Sequence, residues 1–175
     1  MITQEVELGK SITQEAYKKV LEELDIHRLE CPCCGHAGCL IGHGHYQRGV
    51  KESGKLIKLQ IQRLKCKECE KTHALLPSNI VPYTQVRVEE QVEIIRESEG
   101  KREYEAIMAR NYLIDLSEIR AVIRRYQKNW KEKLTSWGLE IKSSAAKLIR
   151  GSFEHGKQQF MQIRRTANKL FLKPT

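Results

Sequence analysis

Two Cys-x-x-Cys pairs constrain the fold of this chain more than any other feature of its sequence. Cys31 and Cys34 form the first pair and Cys66 and Cys69 the second, with residues 35–65 between them. A structural zinc ion takes four ligands in a tetrahedron, about 2.3 Å from each thiolate sulfur. Two intervening residues let one tight turn present both sulfurs, and a hairpin between the pairs brings the two turns together. We therefore expect one structural Zn²⁺ held by these four cysteines.

Other thiols and imidazoles nearby leave alternative ligand sets open. Cys33 is a poorer partner for Cys31 because only one residue separates them, and Cys39 can be a small buried apolar residue instead. One histidine can also replace a cysteine, and the histidines near the pairs are His36, His43, His45 and His73. A redox dithiol is disfavoured because no βαβ pattern surrounds either pair. A closed shell of four thiolates leaves no position for water, so the zinc is expected to be structural rather than catalytic.

Hydrophobic periodicity divides the chain into four segments and predicts an α+β fold. Residues 1–30 read as a helical lead-in, with a helix capped by Ser11 or Thr13 that runs to about Leu29. Residues 31–83 read as a small β zinc ribbon: a turn over 51–55 follows a Gly- and His-rich strand, and alternating apolar positions mark the next strand. Residues 84–130 read as a helix-turn-helix-like bundle, and residues 131–175 as a basic C-terminal tail. The alternating apolar positions are Ile57, Leu59 and Ile61, and their phase breaks before Leu64, which predicts a bulge or a crossing into the second cysteine pair.

The helical segment shows three predicted helices. Val88, Val92 and Ile95 share one face of the first, which Gly100 ends. A short second helix contains Tyr104, Ile107 and Met108, and a turn follows over residues 111–114. Asp115 or Ser117 caps the third helix, whose apolar positions are Ile119, Ile123, Tyr126 and Trp130.

The third helix also carries the candidate DNA contacts. Arg120, Arg124 and Lys128 lie at i, i+4 and i+8 on the face opposite the apolar positions, with Arg125 beside them and Ser117 near the helix start. Arginine's fork fits guanine edges and phosphates, so this row suits a major groove. A solvated amphipathic helix has the same appearance, and both interpretations stay open.

Charge favours a polyanion as partner. The formal net charge is +9 and the sequence pI is about 9.3, the signature of a nucleic-acid binder. The excess lies on residues 31–83 and 131–175, whereas residues 84–130 balance at zero, so the ribbon and the tail would have to supply much of the phosphate attraction. The basic residues of the ribbon could form a second nucleic-acid surface or the ordinary polar face of a sheet. They are Arg48, Lys51, Lys55, Lys58, Arg63, Lys65 and Lys67, flanked by Tyr46 and Tyr83. The basic residues of the tail are expected to clamp DNA phosphates. They are Lys147, Arg150, Lys157, Arg164, Arg165, Lys169 and Lys173.

Composition also excludes some classes of protein. No apolar run approaches the roughly 18–20 residues of a membrane span, and residues 1–10 lack the apolar region of a secretory signal. We expect a cytoplasmic protein, and in a reducing compartment clustered cysteines favour metal over disulfides.

Several short motifs resemble a known family. They are Cys-Pro-x-Cys-Gly-His at 31–36, His-Gly-x-Tyr-x-Arg at 43–48, Arg-x-x-Cys-x-x-Cys at 63–69, Thr-His at 72–73 and Leu-Pro at 76–77. Together they resemble the N-terminal zinc ribbon of bacterial insertion-sequence transposases, especially an uncharacterised transposon-associated family in which a helix-turn-helix follows. The resemblance implies binding to double-stranded DNA at transposon ends, with Cys31, Cys34, Cys66 and Cys69 as zinc ligands.

The chain also differs from that family in a feature that bears on its activity. A full transposase continues into a ribonuclease-H-like domain with three metal-binding carboxylates, whereas the aspartates here are Asp25 and Asp115. We expect no enzymatic activity. The chain is instead expected to be a zinc-stabilised DNA-binding protein that lacks the nuclease and works with a transposase or another protein encoded nearby. A transcriptional regulator and a protein-interaction adaptor that uses its zinc ribbon are the alternatives.

Overall fold

The computed structural model describes residues 1–6, 11–52, 54–110 and 113–163, together with the backbone of residues 171–172. Its elements confirm the α+β class: a mixed sheet and several helices. Within the described residues, no helix has the length and apolar character needed to cross a membrane. The elements are β1 (Ile2–Gln4), α1 (Gln14–Glu22), a 3₁₀ helix (Ile26–Arg28), β2 (Leu40–Glu52), β3 (Lys55–Cys66), β4 (Thr72–Pro77), α2 (Val88–Glu99), α3 (Tyr104–Arg110), α4 (Leu116–Asn129), α5 (Lys131–Ser136), α6 (Ala145–Gly156) and β5 (Phe171–Leu172).

The chain forms two compact units. The first comprises Met1–Gly49, Lys58–Asn79 and Arg164–Thr175, and the second comprises Val50–Ile57 and Ile80–Ile163. Strands β2 and β3 both continue from the first unit into the second, so the tip of their hairpin belongs to the helical unit.

The sheet has the strand order β2-β3-β4-β1-β5. β3 and β4 pair antiparallel, with Leu64 opposite His73. β1 pairs parallel with β4, with Ile2 opposite Leu75, and parallel with β5 on its other side. The sequence prediction missed β1, because a three-residue strand is too short for its alternation to stand out from chance.

The N-terminal helix is shorter than predicted. Thr13 caps α1 as expected, since its side chain accepts a hydrogen bond from the amide of Ala16, but the helix ends at Glu22 instead of near Leu29. The physical reason lies at Asp25, whose carboxylate accepts a hydrogen bond from the amide of His27 and starts the 3₁₀ helix. Asp competes with helical backbone bonding in this way and favours caps over helix interiors.

Tyr17 ties α1 to two strands. Its side chain is buried, its hydroxyl donates to the carbonyl of Leu75 in β4 at 2.8 Å, and it accepts from the amide of Gln62 in β3 at 3.0 Å. Burial raises the pKa of Tyr17 to about 12, with the Gln62 hydrogen bond acting in the opposite direction. One phenol thus binds a backbone group in each of two strands.

The core of the first unit is built around thiols. β3 buries Leu59 and Ile61 and then Leu64 and Cys66, so its buried face shifts phase at the position where the sequence pattern breaks. Leu64 and Cys66 lie in one apolar cluster whose other members are Ile2, Leu29, Cys31, Cys39, Leu40 and Leu75.

In the second unit, α2, α3 and α4 form where the periodicity places them. α2 ends at Glu99 with Gly100 as its C-cap, and α4 packs against both other helices. Asp115 caps α4 in a complete capping box with Glu118, which settles the choice between Asp115 and Ser117. The four apolar positions predicted for α4 are buried, with Trp130 fully so. In the turn predicted over residues 111–114, residues 111 and 112 lie outside the described residues, as does Ser53 in the hairpin turn.

Residues 131–163 contain two helices, α5 and α6, which the expectation of a basic tail does not include. Trp130 packs edge-on against Trp137 and Phe160, with ring centroids 6.2 Å and 5.1 Å apart. α6 contributes Gly156, where an added Cβ would lie 2.7 Å from the Trp137 ring. The tail residues Arg164, Arg165, Lys169 and Lys173 lie outside the described residues.

The replacement Tyr17→Phe should destabilise the protein by about 1–3 kcal/mol, because two buried backbone groups lose their partner. Chemical denaturation followed by circular dichroism measures this, with the exposed Tyr83→Phe as control. Since the folded-state pKa of Tyr17 is raised, its contribution is complete below about pH 10 and is lost as the pH rises toward 12. Equal stability of Tyr17→Phe and wild type at neutral pH would contradict this role.

Candidate metal centre and basic helix

The first cysteine turn closes on its own backbone. The amide of Cys31 donates to the carbonyl of His36, the amide of Gly35 donates to the carbonyl of Cys31, both at 2.9 Å, and the amide of Cys33 points at the sulfur of Cys31. Gly35 has φ +78°, a conformation that glycine adopts without steric cost. The turn therefore fixes its cysteines and directs an amide donor at a sulfur.

The second cysteine turn repeats this pattern. The amide of Cys66 donates to the carbonyl of Lys71 at 2.9 Å, and the amide of Cys69 points at the sulfur of Cys66 at 3.4 Å. Glu70 stands where the first turn has Gly35 and has φ +56°. A left-handed conformation costs an L-residue with a side chain roughly 1–2 kcal/mol, so the second turn is strained where the first is relaxed.

The two turns bring the four sulfurs to one point. The ligand atoms of Cys31, Cys34, Cys66 and Cys69 all lie within 4.8 Å of one another. The sulfurs of Cys31 and Cys69 are 3.6 Å apart and those of Cys34 and Cys66 are 3.7 Å apart. Sulfurs at the corners of a tetrahedron with 2.3 Å metal bonds are about 3.8 Å apart. The predicted cysteines thus form a cluster that could bind one metal ion.

The pKa values of two cluster thiols shift in opposite directions. Burial raises the pKa of Cys66, but the hydrogen bond from the Cys69 amide, with further contacts to Cys39 and the Glu68 amide, outweighs it and brings the pKa to about 6. At Cys34 the amide of His36 lowers the pKa, yet burial and the neighbouring thiols raise it to about 12. A divalent cation supplies the positive charge that lets all four become thiolates.

Cys39 lies against the cluster as a fifth, protonated thiol. Its sulfur is 3.3 Å from that of Cys66, and its thiol donates to the carbonyl of His36 at 3.1 Å. Burial raises the pKa of Cys39 to about 11, which keeps the proton on the sulfur. Cys39 therefore fits the role of a small buried residue that lies against a ligand sulfur while its own proton goes to the His36 carbonyl.

His73 is the histidine that the fold brings to the cluster. Its side chain is buried, and its Nε2 lies 3.3 Å from the sulfur of Cys31. Burial, together with the charge of the N-terminus, lowers the pKa of His73 to about 4. The ring is thus neutral near pH 7, and its Nε2–H tautomer can donate to the sulfur of Cys31. The other thiol and imidazole candidates are exposed: Cys33, His36, His43 and His45.

On α4 the candidate DNA contacts fall into two groups. Arg120, Arg124 and Lys128 are exposed on one face, and the Arg120 guanidinium lies 5.8 Å from the ring centroid of Tyr104. The Ser117 side chain is also exposed, and its hydroxyl donates to the cap residue Asp115 at 2.5 Å. Arg125 is half-buried, burial lowers its pKa, and its Nε and Nη1 have no hydrogen-bond partner among the described residues. The exposed row is available to a ligand, whereas Arg125 lies at its edge.

One contact joins three segments of the helical unit and has no local sequence signal. Lys51, near the end of β2, donates its amide to the carbonyl of Gln85 at 2.7 Å. Its ammonium group lies 2.5 Å from a carboxylate oxygen of Glu118, the residue that completes the α4 capping box. The hairpin tip, the segment before α2 and the start of α4 are therefore fixed to one another through Lys51.

The comparisons with known proteins give a family. Residues 19–114 match the family described as Domain of unknown function (DUF6431), which is more than half of the chain. The chain belongs to this family, and the match includes all four cluster cysteines, α2 and α3. No curated protein and no solved structure matches the chain.

Removing the strain in the second turn should stabilise the first unit. Glu70→Gly removes the steric cost of a left-handed conformation but raises the conformational entropy of the unfolded chain. We therefore expect the free energy of unfolding to increase by about 0.5–1 kcal/mol and Tm to rise. Differential scanning calorimetry of the metal-loaded protein measures it. Glu68→Gly, at an exposed position of the same turn without a positive φ, should lower Tm; a lower Tm for Glu70→Gly as well would disprove the assigned strain.

Proposed function

We propose that this member of the DUF6431 family is a non-enzymatic, zinc-stabilised protein that binds double-stranded DNA through α4. The observation that carries the proposal is the exposed row of Arg120, Arg124 and Lys128 on a helix whose opposite face is buried against two others. A three-helix unit that presents its last helix in this way has the plan of a helix-turn-helix.

Zinc is the metal that the donor set favours. Four thiolates are soft ligands, and tetrahedral sulfur sites are typical of zinc or of iron–sulfur proteins. The two matching turns, each with an amide directed at a sulfur, support a single ion between them. Four protein ligands fill a tetrahedral shell and leave no position for a reacting water, so the zinc would stabilise the fold and take no part in catalysis.

The helix that would enter the major groove is α4. Its N-terminus is held by the capping box of Asp115 and Glu118, which fixes where the first exposed turn begins. Arg120 and Arg124 follow on the exposed face, one helical turn apart, where two guanidinium groups can reach adjacent base pairs. Arg120 also lies over Tyr104, which restricts its rotamers before DNA binds.

The resemblance to insertion-sequence transposases favours transposon ends as the site, with a transposase encoded nearby as partner. A transcriptional regulator would use the same helices at a promoter. Selection of bound sequences from random duplex DNA separates the two, because a site within terminal inverted repeats supports the first and a promoter site supports the second.

A protein-interaction adaptor is the second candidate, and the position of β2 is what favours it. β2 is an edge strand of the sheet, and residues 41–45 are exposed along it. An edge strand can pair with a strand of a partner protein. In that case partner binding would survive substitutions on α4 but would be lost on removal of zinc.

Zinc dependence is tested with Cys66→Ser. The loss of one ligand should remove the ion and unfold the first unit, since structural zinc contributes on the order of 10 kcal/mol to a small domain. Zinc stoichiometry by mass spectrometry and limited proteolysis measure both effects, and Cys33→Ser, at an exposed thiol outside the cluster, is the matched control. Full zinc content and unchanged protease resistance in Cys66→Ser would refute the four-cysteine site.

DNA binding is tested with the double variant Arg120→Ala, Arg124→Ala. Each lost contact should cost about 1–3 kcal/mol of binding free energy, and each lost phosphate contact should reduce the salt slope by about 1. Fluorescence anisotropy with a selected duplex at several salt concentrations measures both. The control is Lys18→Ala, Lys19→Ala, which removes two exposed charges from α1. The proposal fails if wild type shows no salt-sensitive binding to any duplex, or if the α4 variant binds as wild type does.

A further inference from the structure

Two of the exposed large side chains of the helical unit, Leu56 and Tyr83, lie in the segments that Lys51 joins to α4. Leu56, at the start of β3, is 51% exposed, and Tyr83 is 80% exposed. Apolar surface left in water gains none of the free energy that burial provides. Neither side chain contributes to the buried core of the unit.

Tyr83 also occupies an unfavourable backbone position. The amide of Thr84 donates to the carbonyl of Val81, which closes a turn with Pro82 second and Tyr83 third. Tyr83 has φ +64°, and turns with a positive φ at the third position prefer glycine there. A tyrosine that is both strained and exposed lowers stability, and such positions occur most often at functional sites.

Both residues belong to the segments that Lys51 fixes to α4. Lys51 lies in the hairpin that carries Leu56, and its amide bonds to Gln85, two residues after Tyr83. Its ammonium group holds Glu118 in the first turn of α4. The hairpin tip and the Tyr83 turn are therefore held at the end of α4 at which its exposed row begins.

The charge around these residues suits a polyanion. Lys55 is exposed beside Leu56. The acidic residue of the tip, Glu52, is buried and paired with Arg87, and Glu118 is paired with Lys51. Arg87 also pairs with Glu89, and the exposed side-chain charge of the hairpin tip is that of Lys55.

We propose that Leu56 and Tyr83 contact the DNA minor groove next to the major groove that α4 occupies. This inference rests on the proposed function and adds a second contact to it. Minor grooves flank the major groove along a duplex, and proteins that enter them often place apolar side chains against the base edges with basic residues on the backbone. Leu56 and Tyr83 supply the apolar contacts, and Lys55 supplies the phosphate contact.

Dimethyl sulfate distinguishes the two grooves in one reaction, since it methylates guanine N7 in the major groove and adenine N3 in the minor groove. The probe is the duplex that wild type selects from random DNA, flanked on both sides by A·T base pairs. Wild type should protect guanine N7 within the site and adenine N3 at one edge of it. Leu56→Ala and Tyr83→Gly should each lose the adenine protection, keep the guanine protection and bind roughly tenfold more weakly.

Tyr83→Gly separates this role from a structural one, because relief of the left-handed conformation should raise Tm while DNA affinity falls. The matched control is Ile163→Ala, which removes another exposed apolar side chain of the same unit and should leave protection and affinity unchanged. Guanine protection by wild type without adenine protection, or adenine protection that persists in both variants, would overturn the minor-groove contact alone. No protection at either groove by wild type would overturn the proposed function as well.

Discussion

The first unit depends on bringing four sulfurs to one point. Its buried cluster combines a few aliphatic side chains with Cys31, Cys39 and Cys66, so the thiols form part of the core. The pKa of Cys34 is raised by burial and by the neighbouring thiols, so these sulfurs do not readily ionise together. A divalent cation bound between them would stabilise all four as thiolates. Small units bury too little apolar surface to be stable without such help.

The second unit depends on a different constraint, the pairing of its acidic residues. Glu52 and Glu89 lie against Arg87, and Glu118 lies against Lys51 while it completes the cap of α4. These partly buried pairs fix the hairpin tip and the start of α4. Removing one partner of a buried pair costs far more than the intact pair contributes, which makes such contacts determinants of geometry.

Local signals made part of the structure predictable. The Cys-x-x-Cys spacing, the cap of α4 at Asp115 or Ser117 and the apolar period of α4 each act within a few residues. The structure brings the four cysteines together, caps α4 with Asp115 and buries its apolar positions. The missed features depend on distant partners: β1 exists because β4 pairs with it. α6 was missed for a related reason. Glycine has a low helix propensity, so Gly151 argues against a helix in the sequence. In the structure a Cβ at this position would lie 2.5 Å from Cδ1 of Leu139, so the glycine leaves room for that side chain.

Pairing also explains how a segment with no net charge can present a basic face. Residues 84–130 carry as many acidic as basic side chains, which by itself argues against attraction to phosphates. Several of the acidic side chains pair with cations outside that row: Glu97 with Arg102 and Arg110, and Glu99 with Lys131. In the part of the chain that the structure describes, no ion pair involves the exposed row of α4, Arg120, Arg124 and Lys128. Screening limits a surface charge's influence to about 8–10 Å at physiological ionic strength, so a phosphate at α4 would experience that row more than the net charge of the segment.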